Sequence, residues 1–102
     1  LTTAMGANSS ATGLNTTAVG QGTTASGVQA AAFGSGAGAS GTGALAFGAF
    51  SQARGNFSTA LGYSSFAPAL QATAVGNRAQ ATGDLSGGWE LAVGHGVSAT
   101  PT

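Results

Sequence analysis

The chain has 102 residues, enough for one domain, and only four of them are charged, so its formal net charge is zero. This charge balance excludes the basic surface of a nucleic-acid-binding protein, and the absence of Cys excludes a disulfide framework and thiolate metal sites. Ala and Gly are the most frequent residue types, so one copy has few bulky side chains to bury on folding.

The first repeated element is a triplet of Ala, an apolar residue and Gly. Six copies follow one another at a constant step of fourteen positions, and the step to the seventh copy is four positions longer. The copies are 4–6, 18–20, 32–34, 46–48, 60–62, 74–76 and 92–94. A disordered linker or a silk-like tract has no reason to keep such a spacing, so the repeat indicates a folded array.

The second repeated element, Ala-polar-Gly, lies halfway between the copies of the first. It occurs at 11–13, 25–27, 39–41, 53–55 and 81–83, with deviating copies at 67–69 and 99–101. Helical repeats need about 30 residues or more, and collagen needs Gly at every third position. A repeat of fourteen residues is instead long enough for one coil of two short strands and two tight turns. Such coils stack on one another through parallel strand pairing and form a β-solenoid.

Pro68 lies in one of the predicted strands. Because proline cannot donate a hydrogen bond to a strand ladder, we expect a local bulge there.

Alternation along the predicted strands places the two Ala ranks inside the coil, because successive strand residues point to opposite faces. The residue that follows Ala in the first triplet then points outward, and these residues form an apolar ridge. The apolar ridge consists of Met5, Val19, Phe33, Phe47, Leu61, Val75 and Val93. Monomers seldom expose such a stripe, so we expect several copies to pack along it and bury it as an interface. In the alternative arrangement, which we favour less, the ridge points inward and an Ala rank forms the interface.

The Gly that follows the apolar residue in the first triplet has two possible explanations. A tight turn requires a positive φ at one position, which Gly adopts without strain. Alternatively, Gly allows the backbones of neighbouring coils to approach closely. Both explanations are structural, and the sequence leaves the choice open.

Two departures from the repeat are candidate binding sites. Residues 84–91, DLSGGWEL, form an insertion between the last two coils that holds Trp89 and Glu90. This insertion either touches a ligand or folds against a neighbouring chain at the end of the roll. Several aromatic residues in the middle coils also fall at turn or outward positions, where they either anchor a partner or stack between coils. The candidates there are Phe50, Tyr63 and Phe66, with Arg54 beside them.

Catalytic and metal chemistry has little support in the sequence. His95 has no partner at catalytic or metal-ligand spacing, and the two acidic residues, Asp84 and Glu90, lie in one insertion. A polysaccharide-cleaving β-helix enzyme needs clustered carboxylates, and a calcium-binding β-roll needs regularly placed Asp. We therefore expect neither an enzyme nor a bound cofactor or metal.

The triplets at 14-residue spacing resemble the head repeats of trimeric autotransporter adhesins, in particular the Yersinia-adhesin-like head with its patterns AIG and AxAxG. The resemblance covers residues 3–100. It implies an all-β fold, a left-handed parallel β-roll assembled as a homotrimer; the hand comes from the resemblance and not from the periodicity. We expect residues 1–102 to be a single head segment of about seven coils, cut from a longer protein without its stalk or membrane anchor.

The function implied by this resemblance is adhesion at the outer surface of Gram-negative bacteria. Such heads stand on a coiled-coil stalk anchored by a β-barrel in the outer membrane. They bind host-cell receptors or matrix proteins such as collagen, fibronectin and laminin. The resemblance therefore also implies a role in virulence and activity as a hemagglutinin. Two alternatives are a purely structural spacer and an ice-binding β-solenoid, although the mixture of Thr, Ser, Arg and Pro on the outward polar rank suits ice poorly.

Overall fold

The computed structural model describes residues 1–82 and 90–99, and all regular structure in them is β. Fourteen strands of two or three residues alternate between two parallel sheets, so that each coil contributes one strand to each sheet. Over these residues no helix is long and apolar enough to cross a bilayer. The predicted parallel β-solenoid is therefore confirmed.

Sheet A contains the strands of the first triplet in the order β1-β3-β5-β7-β9-β11-β13. Each strand pairs with the equivalent strand one repeat later, as in Ala4 with Ala18, and the last pairing, of Thr73 with Leu91, spans the insertion. The strands are β1 (Thr3–Met5), β3 (Thr17–Val19), β5 (Ala31–Phe33), β7 (Leu45–Phe47), β9 (Thr59–Leu61), β11 (Thr73–Val75) and β13 (Leu91–Val93).

Sheet B contains the strands that lead into the second triplet, in the order β14-β12-β10-β8-β6-β4-β2. The pairing again advances by one repeat, for example from Ala11 to Ala25, and its last step, from Ala81 to Ala99, also spans the insertion. The strands are β2 (Ser10–Ala11), β4 (Thr24–Ala25), β6 (Gly38–Ala39), β8 (Gln52–Ala53), β10 (Phe66–Ala67), β12 (Gln80–Ala81) and β14 (Ser98–Ala99).

The core between the two sheets consists almost entirely of Ala side chains. The central Ala of each sheet A strand from β3 to β11 is fully buried, and so are the Ala residues of sheet B from β4 to β12. The Cα trace measures only 12 Å in its thinnest dimension, against 39 and 25 Å in the other two. Larger side chains have no room in so thin a core, and the alternative arrangement with an inward ridge is therefore wrong.

Two kinds of turn connect the sheets. We call the turn after a sheet A strand the first corner and the turn after a sheet B strand the second corner. In both corners the carbonyl of the first turn residue accepts a hydrogen bond from the N–H of the residue three positions later. At a first corner the N–H of Ser51 donates to the Gly48 carbonyl at 3.2 Å, and at a second corner the N–H of Ala44 donates to the Gly41 carbonyl at 3.1 Å. The third residue of the turn has φ near +60°, as Asn8 and Phe50 show. The sequence analysis missed this rank, because residues other than Gly occupy most of it.

The Gly residues of the two triplets serve different purposes. Gly48, in the first triplet, has φ +123°, and a Cβ placed on it would lie 2.7 Å from the carbonyl of Gly62 in the next coil. Gly13, in the second triplet, has no positive φ, but a Cβ there would lie 2.5 Å from the carbonyl oxygen of Gly27. Both explanations offered by the sequence therefore hold for the first triplet, and only close approach holds for the second.

In most coils the last residue of the turn is small and buried. Where it is Ser or Thr, its hydroxyl donates to the carbonyl of the residue three positions earlier, as in Ser51 to Gly48 at 2.9 Å and Ser58 to Gly55 at 2.6 Å. No buried side-chain nitrogen or oxygen lacks a partner in the described part of the chain. Because the backbone N–H already closes the turn, Ala fills the same position elsewhere, for example at Ala44.

The bulge expected at Pro68 is absent. Strand β10 ends at Ala67, and its register with both neighbouring strands is that of the repeat, since Phe66 pairs with Gln52 and with Gln80. In the preceding coil the residue equivalent to Pro68 is Arg54, which donates its N–H to the carbonyl of Ala67 at 3.0 Å. Pro68 lies just after the strand and has no N–H for such a bond, so the proline shortens the ladder without displacing it.

The insertion lies mostly outside the described residues, which resume at Glu90. From there the coil returns to the repeat at once, because Leu91 begins β13 and the N–H of Thr73 donates to the carbonyl of Glu90 at 2.8 Å. Glu90 is half-buried and occupies the turn position that Ser58 and Ala72 fill in earlier coils.

Candidate functional site

The apolar ridge lies on the outer face of sheet A, as the sequence analysis predicts. Met5, Phe47 and Val93 are 60%, 38% and 61% exposed, and the other four ridge residues are half-buried. Phe33 and Phe47 cover part of each other, with ring centroids 4.5 Å apart and planes tilted by 58°. The ridge is therefore a continuous apolar line that one copy of the chain leaves open to solvent.

A second outward rank lies beside the ridge on sheet A. It comprises Thr3, Thr17, Ala31, Leu45, Thr59, Thr73 and Leu91. Neither rank contains a charged residue, so the whole outer face of sheet A carries apolar groups and Thr side chains only. Such a face can pack against another flat apolar surface without leaving an unpaired charge.

Apolar side chains also line the second corner, next to sheet A. Leu14, Val28 and Leu70 occupy the second residue of their turns and are exposed, and Phe57 is exposed in the adjoining position. The sequence analysis did not single out these residues as a surface, because their rank is interrupted by a Thr and an Asn. Leu14 and Val28 are one repeat apart in the sequence, and Val28 and Leu70 are three repeats apart. This spacing in whole repeats is the signal that could have grouped them.

Two of the six candidate binding residues, Phe50 and Tyr63, meet at the first corner. Their rings make an edge-to-face contact with centroids 5.9 Å apart and planes at 88°. The Phe50 ring also lies over Gly36 of the preceding coil, where a Cβ would lie 2.8 Å from it. About half of each side chain stays exposed, so the rings both stack between coils and face solvent.

Arg54 and Phe66 meet on the outer face of sheet B. The Arg54 guanidinium lies 5.2 Å from the centroid of the Phe66 ring, within the range of a cation–π contact. Arg54 is exposed, and Phe66 is half-buried beside Gln52. The structure therefore groups four candidates as two separate pairs. Glu90 stands apart in its turn, and Trp89 lies outside the described residues.

The described surface offers little to a metal ion. Within residues 1–82 and 90–99, no three His, Asp or Glu side chains come together in a way that could hold one. The charged side chains in these segments are Arg54, Arg78 and Glu90. What the surface does offer is an apolar face on sheet A, a mostly polar face on sheet B, and aromatic side chains at the corners.

Comparison with known families identifies the repeat. A family model described as the YadA head domain repeat (2 copies) matches residues 1–23, 11–37, 39–65 and 67–84. These segments cover well over half of the chain, and they contain the ridge from Met5 to Val75. Phe50, Tyr63 and Arg54 also lie in them, whereas Phe66 falls between two of the matched segments. No curated protein matches the chain significantly.

Proposed function

We propose an adhesive role for this chain, which belongs to the YadA head repeat family and is a head of the trimeric autotransporter adhesin type. A head of this family is a surface-exposed structural module of the adhesin type, and we propose no catalytic activity for this chain. Our proposal is that three copies assemble into one head on the bacterial outer membrane. This head attaches to host-cell receptors or to extracellular-matrix proteins.

The observation that carries the proposal is the open apolar face of sheet A. Each large apolar side chain that becomes fully buried contributes about 1.5–3 kcal/mol, and a single chain leaves Met5, Phe47 and Val93 well exposed. Three copies that turn this face towards a common axis would cover all seven ridge residues. The Ala core contributes little per residue, so the proposed interface supplies burial that the coil itself lacks.

A trimer packed in this way leaves the outer face of sheet B available for binding. Coils stack about 4.8 Å apart, so each outward position recurs at that interval along the head. Many weak contacts on one rigid body act together, and affinity then comes largely from multivalency. We propose that Phe50, Tyr63, Phe66 and Arg54 anchor the partner, with Trp89 and Glu90 of the insertion as further contacts.

The test is binding of the purified head to host cells and to immobilised collagen, fibronectin and laminin. We expect the double variants Phe50→Ala with Tyr63→Ala, and Arg54→Ala with Phe66→Ala, to weaken binding at least tenfold. The same is expected of Trp89→Ala. Gln80→Ala is the matched control, because Gln80 is exposed on the same face of sheet B and should leave binding unchanged.

Two results would contradict this proposal. Failure of the unchanged head to bind any of these targets would indicate a structural spacer that carries a distal tip. Binding that survives all three sets of substitutions would show that the anchors lie elsewhere.

The proposal also predicts how binding depends on salt. Because the chain has no net charge, we expect binding to change little between low and moderate salt.

A further inference from the structure

Three of the four Asn residues begin an Asn-x-Ser/Thr triplet, the acceptor sequence for N-linked sugars. The triplets occupy 8–10, 15–17 and 56–58. The fourth residue, Asn77, is followed by Arg78 and Ala79 and lacks the hydroxyl at the third position. We propose that Asn8, Asn15 and Asn56 carry N-linked sugars in the cell that produces this protein.

The position of the three side chains in the fold supports this assignment. Asn8 lies at a first corner, Asn15 and Asn56 lie at second corners, and all three are exposed. The Asn56 Oδ1 accepts a hydrogen bond from the N–H of Thr42 at 3.0 Å. This contact uses the amide oxygen, and the Nδ2 atom, which would bear the sugar, takes no part in it.

The fold of the coil does not itself require these Asn-x-Ser/Thr sequences. The turn position of Asn8 is held by Gly22, Phe50 and Arg78 in other coils, so the positive φ there does not demand Asn. The strand position of Ser10 is held elsewhere by residues without a hydroxyl, such as Gln52. At 56–58 the situation differs, because the Ser58 hydroxyl also closes the turn by donating to the Gly55 carbonyl.

The reaction would transfer a sugar from a glycosyl diphosphate donor by means of a transferase of the producing cell. The Asn Nδ2 attacks the anomeric carbon and forms a new C–N bond, while the bond from that carbon to the phosphate oxygen breaks. The diphosphate leaves with the bonding electrons, and a base of the transferase takes the amide proton. Because Ser58 is fully buried in the closed coil, transfer to Asn56 would precede folding.

The modification is compatible with the apolar interface. None of the three Asn residues belongs to a sheet A strand, so a sugar on them would extend from the corners of the coil and not from the ridge. Sugar at the corners would add hydroxyl groups to a surface that has few charges. This inference therefore stands or falls independently of the proposed adhesive role.

The first experiment is mass spectrometry of peptides from the protein isolated from the bacterium that makes it. We expect sugar mass increments on the peptides of Asn8, Asn15 and Asn56, and none on Asn77, which is also exposed. Unmodified peptides at all three triplets would overturn the inference. Modification of Asn77 as well would also overturn it, because the triplet would then not select the site.

Two substitutions in the same bacterium test the role of the hydroxyl without disturbing the coil. Ser58→Ala should abolish the sugar on Asn56, and the fold should tolerate it because Ala44 and Ala72 fill equivalent buried positions. Ala79→Ser should add a sugar to Asn77, since Ser51 and Ser65 occupy the same corner position in other coils. A sugar that persists on Asn56 in the first variant, or an unmodified Asn77 in the second, would contradict the inference.

Discussion

Single glycines in this coil differ in how strongly their surroundings exclude a side chain. Gly48 combines a φ of +123° with a neighbouring carbonyl that leaves no space for a Cβ. Gly22 has a φ of +68°, but no atom lies within 4 Å of the position its Cβ would take. Asn8, Phe50 and Arg78 occupy the same turn position as Gly22 in other coils, which shows that a side chain can be accommodated there.

The two glycines should therefore respond differently to the same substitution. We expect Gly48→Ala to lower the free energy of unfolding by about 3 kcal/mol or more, because backbone strain and a backbone collision add together. Gly22→Ala should cost only about 1 kcal/mol, the strain of a left-handed Ala. Urea denaturation of both variants at one protein concentration measures the difference. Equal losses would contradict this account, because neither the less accessible φ of Gly48 nor the collision with the next coil would then add to the cost.

At the scale of the elements, each coil depends on side chains that are small enough for a thin core. Two Ala ranks face each other between sheets A and B, and the largest fully buried side chains are Thr16, Thr23, Ser51, Ser58 and Ser65. The strands themselves are only two or three residues long. Their stability must come from pairing with the coils before and after them, as in other solenoids.

A core of this width predicts a strong preference for Ala at its centre. Ala46→Leu would place three extra carbon atoms between the sheets, and we expect it to cost about 3 kcal/mol or more, or to prevent folding. Its neighbour Leu45 points outward and is half-buried, so Leu45→Ala should cost less than half as much in the free energy of unfolding. Chemical denaturation followed by circular dichroism compares the two. A larger loss for Leu45→Ala would be incompatible with an Ala-filled core.

Much of the fold could be predicted from the sequence because the repeat fixes the register. The spacing of the two triplets predicted the paired strands, the inward Ala ranks and the outward ridge. The turn positions with φ near +60° could not be predicted, since side chains as different as those of Asn8, Phe50 and Arg78 share them. The pairing of Arg54 with Phe66 was also missed, because it depends on which outward positions meet across adjacent coils.

The molecule as a whole is a flat stack with two unlike faces. The outer face of sheet A carries the apolar ridge, and the outer face of sheet B carries mainly polar side chains with Arg54 and Phe66 among them. A face without charges and with exposed large apolar residues favours association, whereas the polar face favours contact with water or a partner. This asymmetry is the reason why we propose a trimer whose interface lies on sheet A.

A matched pair of Phe substitutions separates the two faces. Phe47→Ser on the ridge of sheet A should weaken association, because it places a polar side chain at the proposed interface and removes the contact with Phe33. Phe66→Ser is the same chemical change on sheet B and should leave the oligomeric state unchanged. Size-exclusion chromatography with light scattering reports both. If Phe66→Ser dissociated the assembly and Phe47→Ser did not, the interface would lie on sheet B.

The most direct measurement is the mass of the chain in solution by sedimentation equilibrium. Three copies packed along the ridge from Met5 to Val93 should give about three times the 9.5 kDa of one chain. A folded species that keeps the mass of a single chain over the whole accessible concentration range would contradict this assembly. It would show that one copy stays folded with its apolar ridge exposed to water.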